Sequence, residues 1–500
     1  MFDFIANCGL YPVPVVTMRI GARRADQPNL LSVGTHSRGA NRVPGMSKPS
    51  MHSYEMGRRK FSTRMIDTCA IVPIFACVFA TIISPLEYSI LGLSTTETRL
   101  DTRIFWPVIA AISVVLAAQH RSRLRRPMPP HIICFLVYLA FAGASVLWSF
   151  NPRVSFIRFA QQAMIATSIV LPVMLAAPTA DIMRGLFLYC FAPGAILTIF
   201  FVINNSPSVV AALKGYPGFF LGKNYLGEFS GIVCLLALHE TLYSGLRRAV
   251  AIVLVAIAIL LLFLSDSKTA FGLTLAAPLL AGLTLLVRKI TRISPGIILL
   301  SIPFVYLLLS SVSNSSVIER IGYMLYGDSS LTGRTVIWDF ANYEIARRPL
   351  LGWGYQSFWL AGPDAPSLVE APGWVKTMPD GHNGYVDTKL ELGYVGLAFL
   401  LVFIIATLHG IGRVSDRRPA RAWLVLSLAL FVIVYNFLES LWMRGFEFLW
   451  VVFVITAAEI ARYWRPFPLT RMRNSSRTLT PASSARSPGP RMRRPGVRLP

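Results

Sequence analysis

The chain is short of charge. Only 14% of its 500 residues are Asp, Glu, Lys or Arg, where soluble domains carry about 25%. With 54% hydrophobic residues, that shortage excludes a disordered chain, a coiled coil and almost any soluble enzyme. Acids are the scarcest class: 24 Asp and Glu stand against 48 Lys and Arg, a net charge of +24. Such a surplus can mark a nucleic-acid binder, but most of these cations flank apolar runs. A membrane accounts for them, because cytoplasmic loops concentrate Lys and Arg. Cysteine is sparse as well. Of the six, Cys8 lies in the N-terminal tail and five lie in or beside apolar segments. None has the close spacing of a metal site or a disulfide framework. A signal-peptide arrangement is absent too.

What is present is a long series of apolar runs. A bilayer crossing takes about 20 apolar residues. Twelve stretches qualify: 68–90, 104–119, 131–149, 159–177, 184–203, 225–243, 249–265, 270–287, 296–313, 392–409, 422–439 and 446–463. The expected fold is an all-α polytopic membrane protein of about 12 transmembrane helices. Charge tests this count. With the basic N-terminal arm placed in the cytoplasm, segments 120–130, 241–248, 288–295 and 410–421 fall inside and carry four, two, three and four Lys or Arg. The short loops that fall outside are sparsely basic, which is the expected asymmetry. Both tails are basic, which requires an even number of spans.

Five regions follow. Residues 1–66 hold ten Lys or Arg and three acids and read as a disordered cytoplasmic arm, with Met51 and Met56 as plausible alternative starts. Residues 67–313 hold spans one to nine. Residues 314–391 form a large outer loop between spans nine and ten. Residues 392–463 hold the last three spans, and 464–500 read as a second disordered, basic cytoplasmic tail. The outer loop contains Trp338, Trp353, Trp359 and Trp374 with many Gly and Pro, which suits a small folded cap with short helices. Thr335 to Arg348 has a helical apolar pattern that Pro349 ends. Leu351 to Tyr355 reads as a turn, and Asp380 to Asn383 as a polar turn before the tenth span.

Several residues stand out on the outer face. Of seven histidines, only His382 belongs there, beside Asn383; histidine can accept and return a proton near neutral pH. Lys223 and Asn224 open a span, Lys268 sits in the short loop 265–269, and Arg334 begins the expected helix. Each cation alone suits a snorkelling anchor. Three on one face, each beside Gly, Ser, Thr or Asn, suit an anion such as a pyrophosphate, with the helix N-terminus adding its dipole. Glu228, Glu391, Glu439 and Glu447 lie in or near spans, where a carboxylate usually has a partner or a function. Arg444 is the nearby partner for Glu439, as an alternative to a substrate contact. By helix geometry Glu391 stands about 13 Å from His382. The cap aromatics Trp338, Trp353, Tyr355 and Trp359 fit sugar stacking or the cap's own core equally. No Asp-x-Asp pair faces outside and no His/Cys/Asp cluster has metal-ligand spacing.

These features occur in a telling order. Gly222-Lys223-Asn224 precedes a span, and Ser265-Asp266-Ser267-Lys268-Thr269 joins two. Thr332-Gly333-Arg334 is followed by Trp338 and by Pro349-Leu350-Leu351-Gly352-Trp353-Gly354. His382-Asn383-Gly384-Tyr385 then precedes Glu391-Leu392-Gly393 and Gly396. Over roughly 68–463 the chain resembles the O-antigen ligase and polymerase superfamily, and within it the rhizobial exopolysaccharide polymerases of the succinoglycan type. The resemblance implies a bacterial inner-membrane enzyme, both termini cytoplasmic, with its site on the periplasmic face. It implies donor and acceptor oligosaccharides carried on undecaprenyl pyrophosphate, joined by an inverting, metal-independent glycosyl transfer without cofactor or nucleotide sugar. His382 and Arg334 map onto the catalytic residues, and Lys268, Lys223, Asn224, Asn383 and Glu439 onto substrate or pyrophosphate binding. Relatives often have arginine at the position of Lys268, so its clamp lacks the bidentate fork. Membrane lipids, a chain-length regulator and export proteins are the expected partners, and nucleic acid is not. A ligase that transfers the glycan to lipid A core is the alternative, and a polysaccharide or lipid-glycan transporter the second.

Overall fold

The computed structural model describes residues 71–86, 100–124, 128–176, 180–312, 333–445 and 447–464. The expected arm over 1–66, the tail beyond Trp464, residues 314–332 of the outer loop and the edges of the first span lie outside the described residues.

Among the described residues every regular element is helical. The principal helices are α1 (Ile71–Leu86), α2 (Leu100–Gln119), α3 (Pro130–Ala144), α4 (Pro152–Leu175) and α5 (Ile182–Asn204). They continue with α6 (Lys223–Glu240), α7 (Leu246–Ser265), α8 (Lys268–Thr291) and α9 (Pro295–Val312). Last come α10 (Arg334–Arg347), α11 (Gly384–Ser415), α12 (Pro419–Tyr435) and α13 (Phe448–Arg462). Six helical stretches are long and apolar enough to cross a membrane: Pro130–Trp148, α4, α5, α7, α8 and α11. The chain is therefore an all-α, multi-pass membrane protein. In lipid the backbone must satisfy its own hydrogen bonds, and an uninterrupted helix does so.

Burial separates two kinds of helix. On α7 and α8, Leu260, Phe263, Leu279 and Leu283 are exposed, a surface that lipid covers and water would not tolerate at this extent. On α12 and α13 nearly every side chain from Leu424 to Val432 and from Leu449 to Ala461 is buried. These two helices form the centre. α12 packs on α8 and α11, and α13 packs on α4 and α12.

The segment 333–383 folds as a cap with its own small core, in which Ile337, Phe340, Ile345, Phe358 and Trp359 meet. Trp353, Tyr355 and Trp359 are 5%, 1% and 2% exposed. Of the two roles open from sequence, Trp353 and Trp359 fill the cap core, while Tyr355 packs into the main helical core. The cap also binds the end of α3 and the start of α4: Phe150 N–H donates to Trp353 C=O at 2.9 Å, Asn151 Nδ2 to Ala361 C=O at 2.7 Å and Trp148 Nε1 to Leu351 C=O at 3.0 Å.

α11 is broken where the cap joins it. Gly393 has φ +67° and ψ −170° inside the helix, a conformation essentially restricted to glycine. The break frees backbone groups, and residues 349–354 take them up. Trp353 and Gly354 N–H donate to Leu390 and Glu391 C=O at 3.0 and 2.8 Å, and Tyr394 N–H donates to Pro349 C=O at 2.8 Å. A Cβ on Gly393 would lie 2.1 Å from Leu350 O. The Gly/aromatic turn after α10 is thus the piece that fits the interrupted helix.

Candidate active site

Four residues from four separate regions meet at the end of the bundle beneath the cap. Arg334 is the first residue of α10, after Gly333 at φ +85°. His382 lies in the polar turn before α11. Asn224 is in the first turn of α6, and Glu439 follows α12. Glu439 joins the other three. Its Oε1 accepts from Arg334 Nη2 at 2.9 Å and from Asn224 Nδ2 at 3.3 Å, and its Oε2 lies 2.9 Å from His382 Nδ1. A carboxylate can only accept, so Nδ1 carries the hydrogen and Nε2 is left as the acceptor.

The turn holding His382 is built tightly. His382 has φ +47°, a left-handed conformation unusual for a residue with a Cβ. Its N–H donates to Asp380 Oδ1 at 2.9 Å. Asn383 N–H donates to Ser440 Oγ at 2.9 Å. Asn383 Oδ1 accepts from Tyr385 and Val386 N–H at 3.1 and 3.2 Å, so the side-chain oxygen serves as the N-cap of α11. Burial pulls the His382 pKa down. The hydrogen bond to Glu439 and the charges of Asp380 and Glu439 outweigh it, and the net displacement is upward. Asp380 is itself displaced upward, by burial first and by Asp387.

Behind this cluster lies a second one. Arg444 Nη2 donates to Asp387 Oδ2 at 2.7 Å and lies 3.2 Å from Glu391 Oε1. Asp387 Oδ1 accepts from Trp359 Nε1 at 2.8 Å, and both its oxygens accept from Gly381 N–H at 3.2 and 3.0 Å. The cap core, the histidine turn and the loop after α12 are thereby tied to one carboxylate. Burial lowers the Arg444 pKa, but Glu391, Asp387 and Asp380 raise it further, so the guanidinium stays charged. The pairing expected between Glu439 and Arg444 is replaced by these contacts. Glu391 meets Arg444 and accepts from Gln356 N–H at 2.9 Å. Asp387 carried no sequence signal beyond its place in the first turn of a capped helix.

The two lysines sit at the same end. Lys223 Nζ donates to Lys214 C=O at 3.0 Å and lies 3.4 Å from Asp266 Oδ2. Lys268 begins α8 and is exposed. Its neighbour Ser267 packs on α6, where a Cβ on Gly227 would be 2.7 Å from Ser267 Cβ. The starts of α6, α8, α10 and α11 and the end of α12 thus converge, and this end of the bundle carries Lys223, Lys268 and Arg334 with His382 and the bridging Glu439.

Comparison with known proteins points the same way. Residues 253–401 match the family model described as O-Antigen ligase. Over that stretch the chain is similar to the O-antigen ligase family. It is also similar to the exopolysaccharide production protein ExoQ of Rhizobium meliloti (strain 1021), with 24% identity over 381 residues, covering 72% of this chain and 83% of that protein. The matched region of the superfamily contains Lys268, Arg334 and His382; Asn224 and Glu439 lie on either side of it.

Proposed function

We propose that the chain is an exopolysaccharide polymerase that joins oligosaccharide repeats carried on undecaprenyl pyrophosphate. The observation that carries this reading is the placement of His382 and Arg334 on the two oxygens of Glu439. One end of that arrangement offers a base and the other a cation, as glycosyl transfer to a hydroxyl from a pyrophosphate leaving group requires. His382 Nε2 takes the proton of the acceptor sugar's hydroxyl. The hydroxyl oxygen attacks the donor's anomeric carbon, and the bond from that carbon to the phosphate oxygen breaks on the opposite side. The electron pair leaves with undecaprenyl pyrophosphate, and the anomeric configuration inverts. Arg334 exchanges Glu439 Oε1 for a phosphate oxygen and stabilises the charge that grows there. Lys268 and Lys223 add positive charge at the same end, so the chain itself supplies the electrostatic role that other transferases assign to a metal.

In this reading the twelve apolar stretches all cross the bacterial inner membrane, both termini are cytoplasmic, and the cap is periplasmic. The loops at the opposite end from the site carry the excess Lys and Arg, which supports that orientation. The name of the rhizobial relative, an exopolysaccharide production protein, supports polymer as the product. The description of the matched family as O-Antigen ligase favours a second reading: transfer of the finished glycan to lipid A core by the same chemistry. Purified protein given lipid-linked repeats, followed by sizing of the products, separates the two. Polymerase activity yields a ladder of lengthened lipid-linked chains, and His382→Ala and Arg334→Ala abolish it. A ladder that persists in both variants removes the proposed roles. No lengthening without lipid A core, and capture of the glycan with it, replaces polymerase by ligase.

A further inference from the structure

Of the cap's four tryptophans, Trp353 and Trp359 are buried and Trp338 is half-buried with its Nε1 donating to Gly381 C=O at 2.9 Å. Trp374 differs. It remains 49% exposed, although local hydrogen bonds fold the segment holding it into a turn. Its C=O accepts from Thr377 Oγ1 at 2.8 Å, and Val375 N–H donates to Pro372 C=O at 3.0 Å. Val375, the next residue, is fully buried in the cap core. The turn therefore drives one side chain inward and holds its neighbour outward. The ring of Trp374 lies over Gly333, where a Cβ would meet Cζ2 at 3.4 Å and Cη2 at 3.6 Å. Gly333 immediately precedes Arg334. The same short segment leads from Trp374 to Asp380 and His382. An exposed indole thus packs against the residue that precedes Arg334.

We propose that Trp374 is a sugar-binding platform that receives one face of a hexopyranose ring of the lipid-linked oligosaccharide beside the reacting bond. The inference rests on the reading of the site as a glycosyl transferase and deepens it. A pyranose presents a patch of C–H groups on one face and hydroxyls around its rim. The indole covers the patch, and the polar groups along the rim are those of the neighbouring site. Indole has only two side-chain torsions, and here the backbone under it is pinned, so little freedom is lost on binding. The platform selects for the sugar, while Arg334 and the lysines act on the charge.

The test uses the full-length protein in detergent with Trp374→Ala and Trp374→Phe. The probe is the free oligosaccharide repeat, released from its lipid, with saturation-transfer NMR as the readout. Trp374→Ala is expected to weaken binding roughly 3- to 10-fold and Trp374→Phe to keep it within about twofold, the range for one aromatic contact. In the polymerisation assay Trp374→Ala raises KM by the same factor with kcat little changed. Equal binding and equal KM in wild type and Trp374→Ala overturn the proposal, and so does an effect confined to protein abundance, which marks a membrane-interface anchor. Trp374-dependent sugar binding without any glycosyl transfer in wild type removes the transferase reading and leaves the platform. Transfer with no dependence on Trp374 does the reverse.

Discussion

His382 Nδ1 lies 2.9 Å from Oε2 of Glu439, a residue 57 positions later in the chain. The contact sets the imidazole's tautomer and orientation together. The same carboxylate holds Arg334 through its other oxygen at 2.9 Å. Base and cation are therefore coupled, and a change at Glu439 reaches both.

The first consequence is a pH dependence. A general base acts in its neutral form, so the rate rises with pH through the pKa of His382. Burial lowers that pKa, but Glu439 and Asp380 raise it by more, placing it above its ordinary value of 6.5. Glu439→Gln removes the largest upward contribution and moves the acid limb of kcat/KM to lower pH. The expected result is a displaced limb with a smaller plateau, because the neutral amide orients the ring less well. A limb at the same pH in wild type and Glu439→Gln would show that His382 is not the titrating base.

Arg334 carries the second. Arg334→Ala removes charge where the leaving group's charge grows, and the expected loss in kcat is about 10²- to 10³-fold. Arg334→Lys keeps the charge without the planar fork and recovers only part of it. Glu439→Gln has an opposite effect on binding, because it removes the carboxylate that competes with the donor's phosphate for Arg334. Donor KM falls while kcat falls. A Glu439→Gln variant with raised donor KM would argue against that competition.

The parts of the site legible in sequence were its residue types. Histidine, cations beside small polar residues, and carboxylates near span ends are scarce in an apolar chain, so each is visible singly. Their pairings were not visible. Glu439 and Arg444 are five positions apart, and sequence proximity suggests a pair. The loop between them turns, because Asn436 Oδ1 accepts from both Leu441 and Trp442 N–H at 3.1 Å and Met443 takes φ +51°. Glu439 then faces Arg334, and Arg444 faces Asp387 and Glu391. The helix expected to start at Thr335 and end at Arg348 runs from Arg334 to Arg347, because local periodicity and Pro349 determine it. The break at Gly393 depends on hydrogen bonds to residues about 40 positions earlier, a relation that no local pattern carries.

That break yields a stability prediction. Gly393→Ala places a methyl group 2.1 Å from Leu350 O and holds alanine in a conformation that costs of order 1–3 kcal/mol by itself. Relief requires residues 349–354 to leave α11, which exposes the carbonyls of Leu390 and Glu391. The variant should melt well below wild type in detergent and be cleaved faster by protease in the cap. Gly282→Ala is the control, since the nearest atom to its Cβ is Trp423 Nε1 at 3.9 Å. Equal melting of the two variants would mean that the cap does not depend on the break.

Orientation can be read by labelling. Lys376, on the cap, and Ser244, in the turn between α6 and α7, are both exposed. In a background without native cysteines, Lys376→Cys should react with an impermeant maleimide in intact spheroplasts. Ser244→Cys should react only after lysis. The reverse pattern would place the candidate site in the cytoplasm and exclude chemistry on a periplasmic lipid-linked glycan.

Arg444 is the last case, and it separates support from chemistry. Asp387 and Glu391 are 3% and 5% exposed and share this guanidinium. Arg444→Met leaves two buried carboxylates without their cation, and removing one partner of a buried ion pair costs about 3–5 kcal/mol. Asp387→Asn keeps an oxygen for Trp359 Nε1 and Gly381 N–H and leaves Arg444 paired with Glu391, so it should cost less. Both variants loosen the turn that holds His382, because Gly381 is its anchor on Asp387. The expected pattern is a lower melting temperature for Arg444→Met than for Asp387→Asn, with activity falling in the same order. Each variant's remaining activity should keep the wild-type acid limb, since Glu439 still faces the histidine. A limb displaced by Arg444→Met but unmoved by Glu439→Gln would transfer control of the base from Glu439 to the cluster behind it.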